Sequence, residues 1–186
     1  YASPPTGSYA EAKVMPANRL VKIPDNISDE IAAAIMLKGM TVEYLIRRTY
    51  NVKAGQTVLF HAAAGGVGLI ACQWLKAIGA ITIGTVGSEE KAVLAQANGC
   101  DHTILYREES FVDKVKEITN GEGVPVVYDG IGKDTALPGL DCLSPLGLMV
   151  VFGNASGNAP AIDTGMLASK GSLFLTRPTL MTYNAK

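Results

Sequence analysis

The chain has 186 residues, 48% of them hydrophobic and 18% charged, with 16 basic against 17 acidic side chains and a formal net charge of -1. A nucleic-acid binder needs a surplus of Lys and Arg to displace phosphate counterions, so that class is excluded. Disorder is excluded too, because enough apolar surface is present to offset the entropy of the chain. Glycine is frequent, at 20 residues, and aromatics are scarce, at 6%, which suits helices packed closely on a buried parallel sheet.

The first 27 residues are rich in turn formers, Pro4, Pro5, Gly7, Pro16 and Pro24, with one expected strand at Leu20 to Ile23. Ser28 is an expected N-cap, with Asp29 and Glu30 in the first turn, for a helix that breaks at Gly39 and runs toward Tyr50. From Ala54 to Leu75 no residue is charged, a length that suits a membrane span of about 20 residues. His61, Gln73 and three glycines interrupt it, so a buried strand, a glycine turn and a buried helix are expected instead. Apolar runs at Thr57–Ala62, Ile81–Val86, His102–Leu105, Val124–Tyr128, Leu148–Phe152 and Leu173–Thr176 predict six strands. Helical periodicity fills the gaps at Val67–Ile78, Glu89–Asn98, Ser110–Ile118, Thr135–Leu143 and Ile162–Ser169, with Gly79 and Gly99 where C-terminal glycines belong. Strands separated by right-handed helical crossovers predict a doubly wound α/β domain over residues 28–186, a Rossmann fold. Cys72, Cys100 and Cys142, with only His61 and His102 beside them, indicate neither a disulfide framework nor a metal site.

After the first strong strand the chain reads Ala63-Ala64-Gly65-Gly66-Val67-Gly68, a glycine fingerprint with Ala63 in the first glycine position. Gly65 allows a backbone approach to a pyrophosphate, and Gly68 allows helix and strand to pack closely. The helix that follows offers unpaired N–H groups and a positive dipole end to the anion. Dinucleotide sites that take NAD carry an acid at the tip of the second strand, whereas here the tip is Val86-Gly87-Ser88. That leaves space for a 2′-phosphate, with Ser88 as a hydroxyl donor and Lys91 one turn into the helix, and with Arg107 after the third strand. NADP is the expected cofactor. The loops Ala64–Val67, Asp129–Gly132, Phe152–Asn154 and Thr176–Pro178 are expected to line the crevice, with Gly153 and Asn154 approaching the cofactor and Thr41 facing it from a helix turn.

The runs His61 to Leu69, Gly84-Thr85-Val86-Gly87, Tyr106-Arg107-Glu108-Glu109, Val127-Tyr128-Asp129 and Phe152 to Gly157 resemble the quinone oxidoreductase (zeta-crystallin-like) branch of the medium-chain dehydrogenase/reductases. The resemblance covers nearly the whole chain and uses several motifs in order. It implies NADPH:quinone reduction without zinc, a cytoplasmic homodimer, and a 2′-phosphate site that includes Lys91 and Tyr106. The cofactor contacts it brings together with the fingerprint are Thr41, Ala64, Gly65, Gly66, Val67, Gly68, Gly87, Ser88, Lys91, Tyr106, Phe152, Gly153 and Asn154. It also implies that residues 1–27 are the remnant of a GroES-like catalytic domain. Zinc-dependent relatives place a cysteine ligand where Leu37 stands here, and an apolar side chain cannot ligate a metal. No catalytic residue is assigned. An electron-poor quinone or enone is the expected acceptor, with an enoyl reductase, or a non-catalytic nucleotide-binding module, as the other readings. In the sheet order 3-2-1-4-5-6 the edge strand Leu173–Thr176 carries no charge, and it is the expected dimer contact.

Overall fold

The alternation of short apolar runs and helical stretches becomes one six-stranded sheet in the computed structural model, which describes residues 7–185. The strands are β1 Thr57–Phe60, β2 Ile81–Val86, β3 His102–Leu105, β4 Val124–Asp129, β5 Leu143–Val151 and β6 Phe174–Thr176. All neighbours pair in parallel, in the order β3-β2-β1-β4-β5-β6. The chain direction through the sheet therefore reverses beside β1, between β1 and β4. A doubly wound sheet opens its crevice outside the strand ends at this point.

Successive side chains of a strand point to opposite faces, and both faces here are covered. Val58 and Phe60 of β1 join one cluster with Ala71 and Leu75 of α2 (Gly66–Ile78) and Val42 of α1 (Asp29–Glu43). Leu59, between them, joins the opposite cluster with Val115 of α4 (Phe111–Ile118) and Ala136 of α5 (Ala136–Gly139). The helix α3 (Glu89–Ala97) packs its alanines 92 and 95 against Cys72 and Cys100. The three cysteines are free and buried, as small apolar side chains. Two short helices, α6 (Thr164–Ser169) and α7 (Leu180–Asn184), complete the domain.

Local chemistry accounts for the ends of these elements. Ser28, Ser88 and Ser110 each accept an N–H at a helix start, and Gly79 closes α2 in the left-handed region at φ +83°. Several expectations need correction. Residues 20–23 form no strand: they belong to no sheet, and Leu20 and Val21 remain exposed. Helix α1 does not break at Gly39; it runs unbroken to Glu43 and widens into a π turn over Tyr44–Thr49. The helix expected over Thr135–Leu143 shrinks to Ala136–Gly139 plus a 3-10 turn at Leu140–Cys142. Strand β5 starts at Leu143 instead of Leu148, passing through Pro145, Gly147 and a left-handed Leu146 at φ +62°. Those residues disguise a strand locally, and only pairing to β4, with its register shift after Val124, reveals it. The expected turn formers Pro4 and Pro5 lie outside the described residues. Among the described residues no helix is long and apolar enough to cross a membrane.

Candidate functional site

The glycine fingerprint turns sharply from β1 into α2. Ala62 adopts a left-handed conformation at φ +56°, and its carbonyl accepts the Gly65 N–H at 2.8 Å. The first helical bond of α2 runs from the Leu69 N–H to the Gly65 carbonyl. The N–H groups of Gly66, Val67 and Gly68 precede it and have no place in the helical ladder. Gly65 and Gly66 are exposed and Gly68 is buried. A Cβ on Gly68 would lie 2.4 and 2.5 Å from the carbonyl oxygens of Ala62 and Ala63, so this glycine serves packing, as expected. The neighbouring pair, Gly65 and Gly66, leaves exposed backbone at a positive helix end, with Lys38 folded over Gly66.

A second group of residues lies at the tip of β2. A Cβ on Gly87 would stand 3.5 Å from the Tyr106 hydroxyl and 3.7 Å from the Arg107 guanidinium carbon. The guanidinium lies 5.9 Å from the Tyr106 ring centre. Ser88 caps α3 by accepting the Lys91 N–H at 3.4 Å, so Lys91 starts the same helix turn. The structure thus brings Gly87, Ser88, Tyr106 and Arg107 to one place with Lys91 on the adjoining turn. A hydroxyl pair and two cations with no acid at the strand tip suit a phosphate monoester.

The rim of β4 and β5 behaves differently. The buried Asp129 carboxylate accepts the N–H groups of Ile131 and Gly132, at 2.7 and 3.0 Å, and the Thr135 hydroxyl at 2.9 Å. Gly132 forms a bridge with Gly157, and Ser156 donates its hydroxyl to the Ile131 carbonyl. Gly153 also lies close to the chain itself. Its Cβ would meet the Gly130 carbonyl oxygen at 2.5 Å, so the close approach is between two loops of the chain itself. Asn154 donates its amide to Asn158 at 3.1 Å, and the two residues border an open pocket of about 310 Å³ that reaches Arg177. Phe152 packs on Phe60, with ring centres 5.7 Å apart. Thr41 donates its hydroxyl to the Leu37 carbonyl within α1.

The sequence analysis placed Asp129 in a crevice loop without giving its carboxylate a role, and it did not name Lys38. Asp129 is followed by Gly130, Ile131 and Gly132, an order typical of a carboxylate that caps its own loop, and that pattern would have found it. Lys38, which lies over Gly66, has no local signature at all. His61, just before the fingerprint, is buried, with Nδ1 2.9 Å from the Thr85 hydroxyl and Nε2 without a hydrogen-bond partner. Its edge meets the Phe111 ring at 5.0 Å between centres. Burial pushes its pKa from 6.5 down to about 4 against the pull of Asp129, so the imidazole is neutral at pH 7.

Comparison with known proteins places this geometry. The family described as "Zinc-binding dehydrogenase" matches residues 66–181. A "Quinone oxidoreductase" of Pseudomonas aeruginosa is 54% identical over 183 residues, covering 98% of this chain and 56% of that protein. A "2-haloacrylate reductase" of a Burkholderia species is 49% identical over 186 residues, covering 97% of this chain and 55% of the relative. The crystal structure of Escherichia coli quinone oxidoreductase complexed with NADPH matches with a TM-score of 0.86 and 55% identity, over 88% of this chain and 50% of that one. The chain therefore spans about half the length of the curated relatives it matches. Although the family's description names zinc, the described residues contain no group of three or more His, Cys, Asp or Glu placed to hold a metal ion. The doubly wound sheet, the fingerprint at Gly65–Gly68 and these matches agree: the chain belongs to the zinc-binding dehydrogenase family, in the quinone oxidoreductase branch of the medium-chain dehydrogenase/reductases.

Proposed function

We propose that residues 28–186 are the NADPH-binding domain of a zinc-independent oxidoreductase that transfers hydride to a quinone, with residues 1–27 belonging to its catalytic domain. The observation that carries the reading is the convergence of Tyr106 and Arg107 on Gly87, beside Ser88 and Lys91, at a strand tip without an acid. NADPH, when bound, supplies the hydride. The chain's own residues hold and orient it. The 2′-phosphate sits among Lys91, Tyr106, Arg107 and Ser88, and the pyrophosphate lies at the Gly65–Gly66 cradle. The nicotinamide end lies toward the rim formed by Phe152, Gly153 and Asn154, with Thr41 on the adjoining helix. Leu37, standing where zinc-dependent relatives carry a cysteine, supports metal-independent transfer to an acceptor whose ring delocalises the incoming charge.

A charge-assisted contact to phosphate contributes about 1.5–3 kcal/mol, so Lys91→Ala weakens NADPH roughly ten-fold or more and leaves NADH nearly unchanged. Titration calorimetry checks this, and equal weakening of both cofactors refutes the assignment. A second reading, reduction of an activated alkene, is favoured by the 49% identity to the 2-haloacrylate reductase. Assays of the full-length protein with quinones and enones separate the two. Dimerisation through β6 belongs to the same proposal. Phe174 and Leu175 are exposed, and Phe174 to Thr176 pair on one side only, with β5. Phe174→Lys shifts the protein toward monomer in sedimentation if this edge is the contact. A cytoplasmic location is proposed with the rest.

A further inference from the structure

The site described above contains a cation that neither the fingerprint nor the 2′-phosphate pocket accounts for. Lys38 stands on α1, 28 positions before the glycine it covers. A Cβ built on Gly66 would lie 2.8 Å from Lys38 Cε and 3.0 Å from both Cδ and Nζ. The butyl chain is therefore folded across the first residue of α2, with its amine beside that helix's start. Lys38 is exposed, and it takes part in none of the ion pairs among the described residues.

This placement is electrostatically one-sided. The N-terminus of α2 carries the positive end of the helix dipole and the outward N–H groups of Gly66, Val67 and Gly68. A solvated lysine gains nothing by lying against it, because both present positive charge and donors. The arrangement becomes favourable when an anion with several acceptor oxygens lies between them, taking N–H groups from one side and an ammonium from the other. Gly66 is the residue that allows it, since any side chain there would displace the lysine. The same glycine therefore serves two purposes: it bares the helix end and it gives Lys38 its path.

We infer that Lys38 is a pyrophosphate clamp, closing over the diphosphate of the dinucleotide from α1 while the start of α2 holds it from below. The inference rests on the proposed dinucleotide site and adds a residue to it. It also assigns Lys38 a role distinct from that of Lys91. Lys91 reads the 2′-phosphate and so discriminates between cofactors, whereas Lys38 meets a group that NADPH and NADH share.

The test compares the wild-type chain with Lys38→Met, which keeps the aliphatic cover on Gly66 and removes the charge, and with Lys91→Ala. Each is titrated with NADPH, NADH and 2′-AMP, which has the 2′-phosphate but no pyrophosphate. Lys38→Met is expected to weaken NADPH and NADH by the same factor, roughly ten-fold, and to leave 2′-AMP and thermal stability unchanged. Lys91→Ala should show the opposite selectivity. Unchanged dinucleotide affinity in Lys38→Met, a loss confined to NADPH, or an equal loss for 2′-AMP overturns the clamp while the dinucleotide site stands. A wild-type chain that binds neither dinucleotide overturns the site and the clamp together.

Discussion

The two glycine-rich rims of the sheet look alike in sequence and do opposite things. At the ends of β1 and β2, Gly65 and Gly66 are exposed, with Lys38 folded over Gly66, and Gly87 lies in ordinary contact with Tyr106 and Arg107. At the ends of β4 and β5, Gly130, Gly132, Gly153 and Gly157 let two loops touch, with Asp129 tying the first of them to its strand. Side chains of cations and hydroxyls lie against the glycines of the first rim, whereas backbone meets backbone in the second. Under the proposed function, a rigid second rim would suit a nicotinamide end held in register with an acceptor, and the first rim would supply charge for the cofactor.

Substitutions separate the rims by whether folding or binding fails. The largest effect is expected at Gly68, the packing glycine of the first rim. A valine there drives its Cβ into two backbone carbonyls, costing about 4 kcal/mol or more, and the thermal midpoint falls by roughly 10 °C or the chain fails to fold. A wild-type melting curve for Gly68→Val would show that α2 can move away from β1. Next is Asp129→Ala, which leaves two buried N–H groups and a hydroxyl without their acceptor and costs about 3 kcal/mol in denaturant unfolding. Asp129→Asn, which keeps the shape and one acceptor oxygen, should cost less than the alanine. Equal costs would mean that the loop is held by its backbone bridges.

The pH dependence of stability tests the floor between the rims. The folded chain keeps His61 neutral down to about pH 4, whereas the unfolded imidazole takes up a proton near 6.5. Between those values the unfolded state holds more protons. This contribution is complete above pH 6.5 and is lost as the pH falls toward 4, by up to about 3 kcal/mol. His61→Gln should flatten the profile in that window, and an unchanged slope would assign the loss to carboxylates. The smallest effect on folding is expected at Gly87, where an added methyl makes only ordinary contact at 3.5 Å. Gly87→Ala should melt like the wild type yet weaken NADPH by roughly ten-fold, the scale of one disturbed charge-assisted contact. Undiminished NADPH affinity would place the 2′-phosphate elsewhere.

The sequence by itself determined what depends on neighbours along the chain. Strand and helix periods, the serine caps, Gly79 and the fingerprint were legible because each is a local rule of backbone geometry or of hydrophobic repetition. The missing acid at Val86-Gly87-Ser88 was legible for the same reason, since its place is set by one strand tip. Tertiary structure alone decided which glycines pack against backbone of the chain and which lie against side chains from elsewhere in it. Gly153 meets Gly130 and Lys38 meets Gly66 across more than twenty residues, and no repeat connects those positions. The first half of β5, from Leu143 to Gly147, was likewise hidden until β4 paired with the strand, because Pro145 and Gly147 argue locally against it. Contacts of that kind arise only when the sheet sets distant segments side by side, so the division of the crevice into a rim of side-chain contacts and a rim of backbone contacts is a property of the fold.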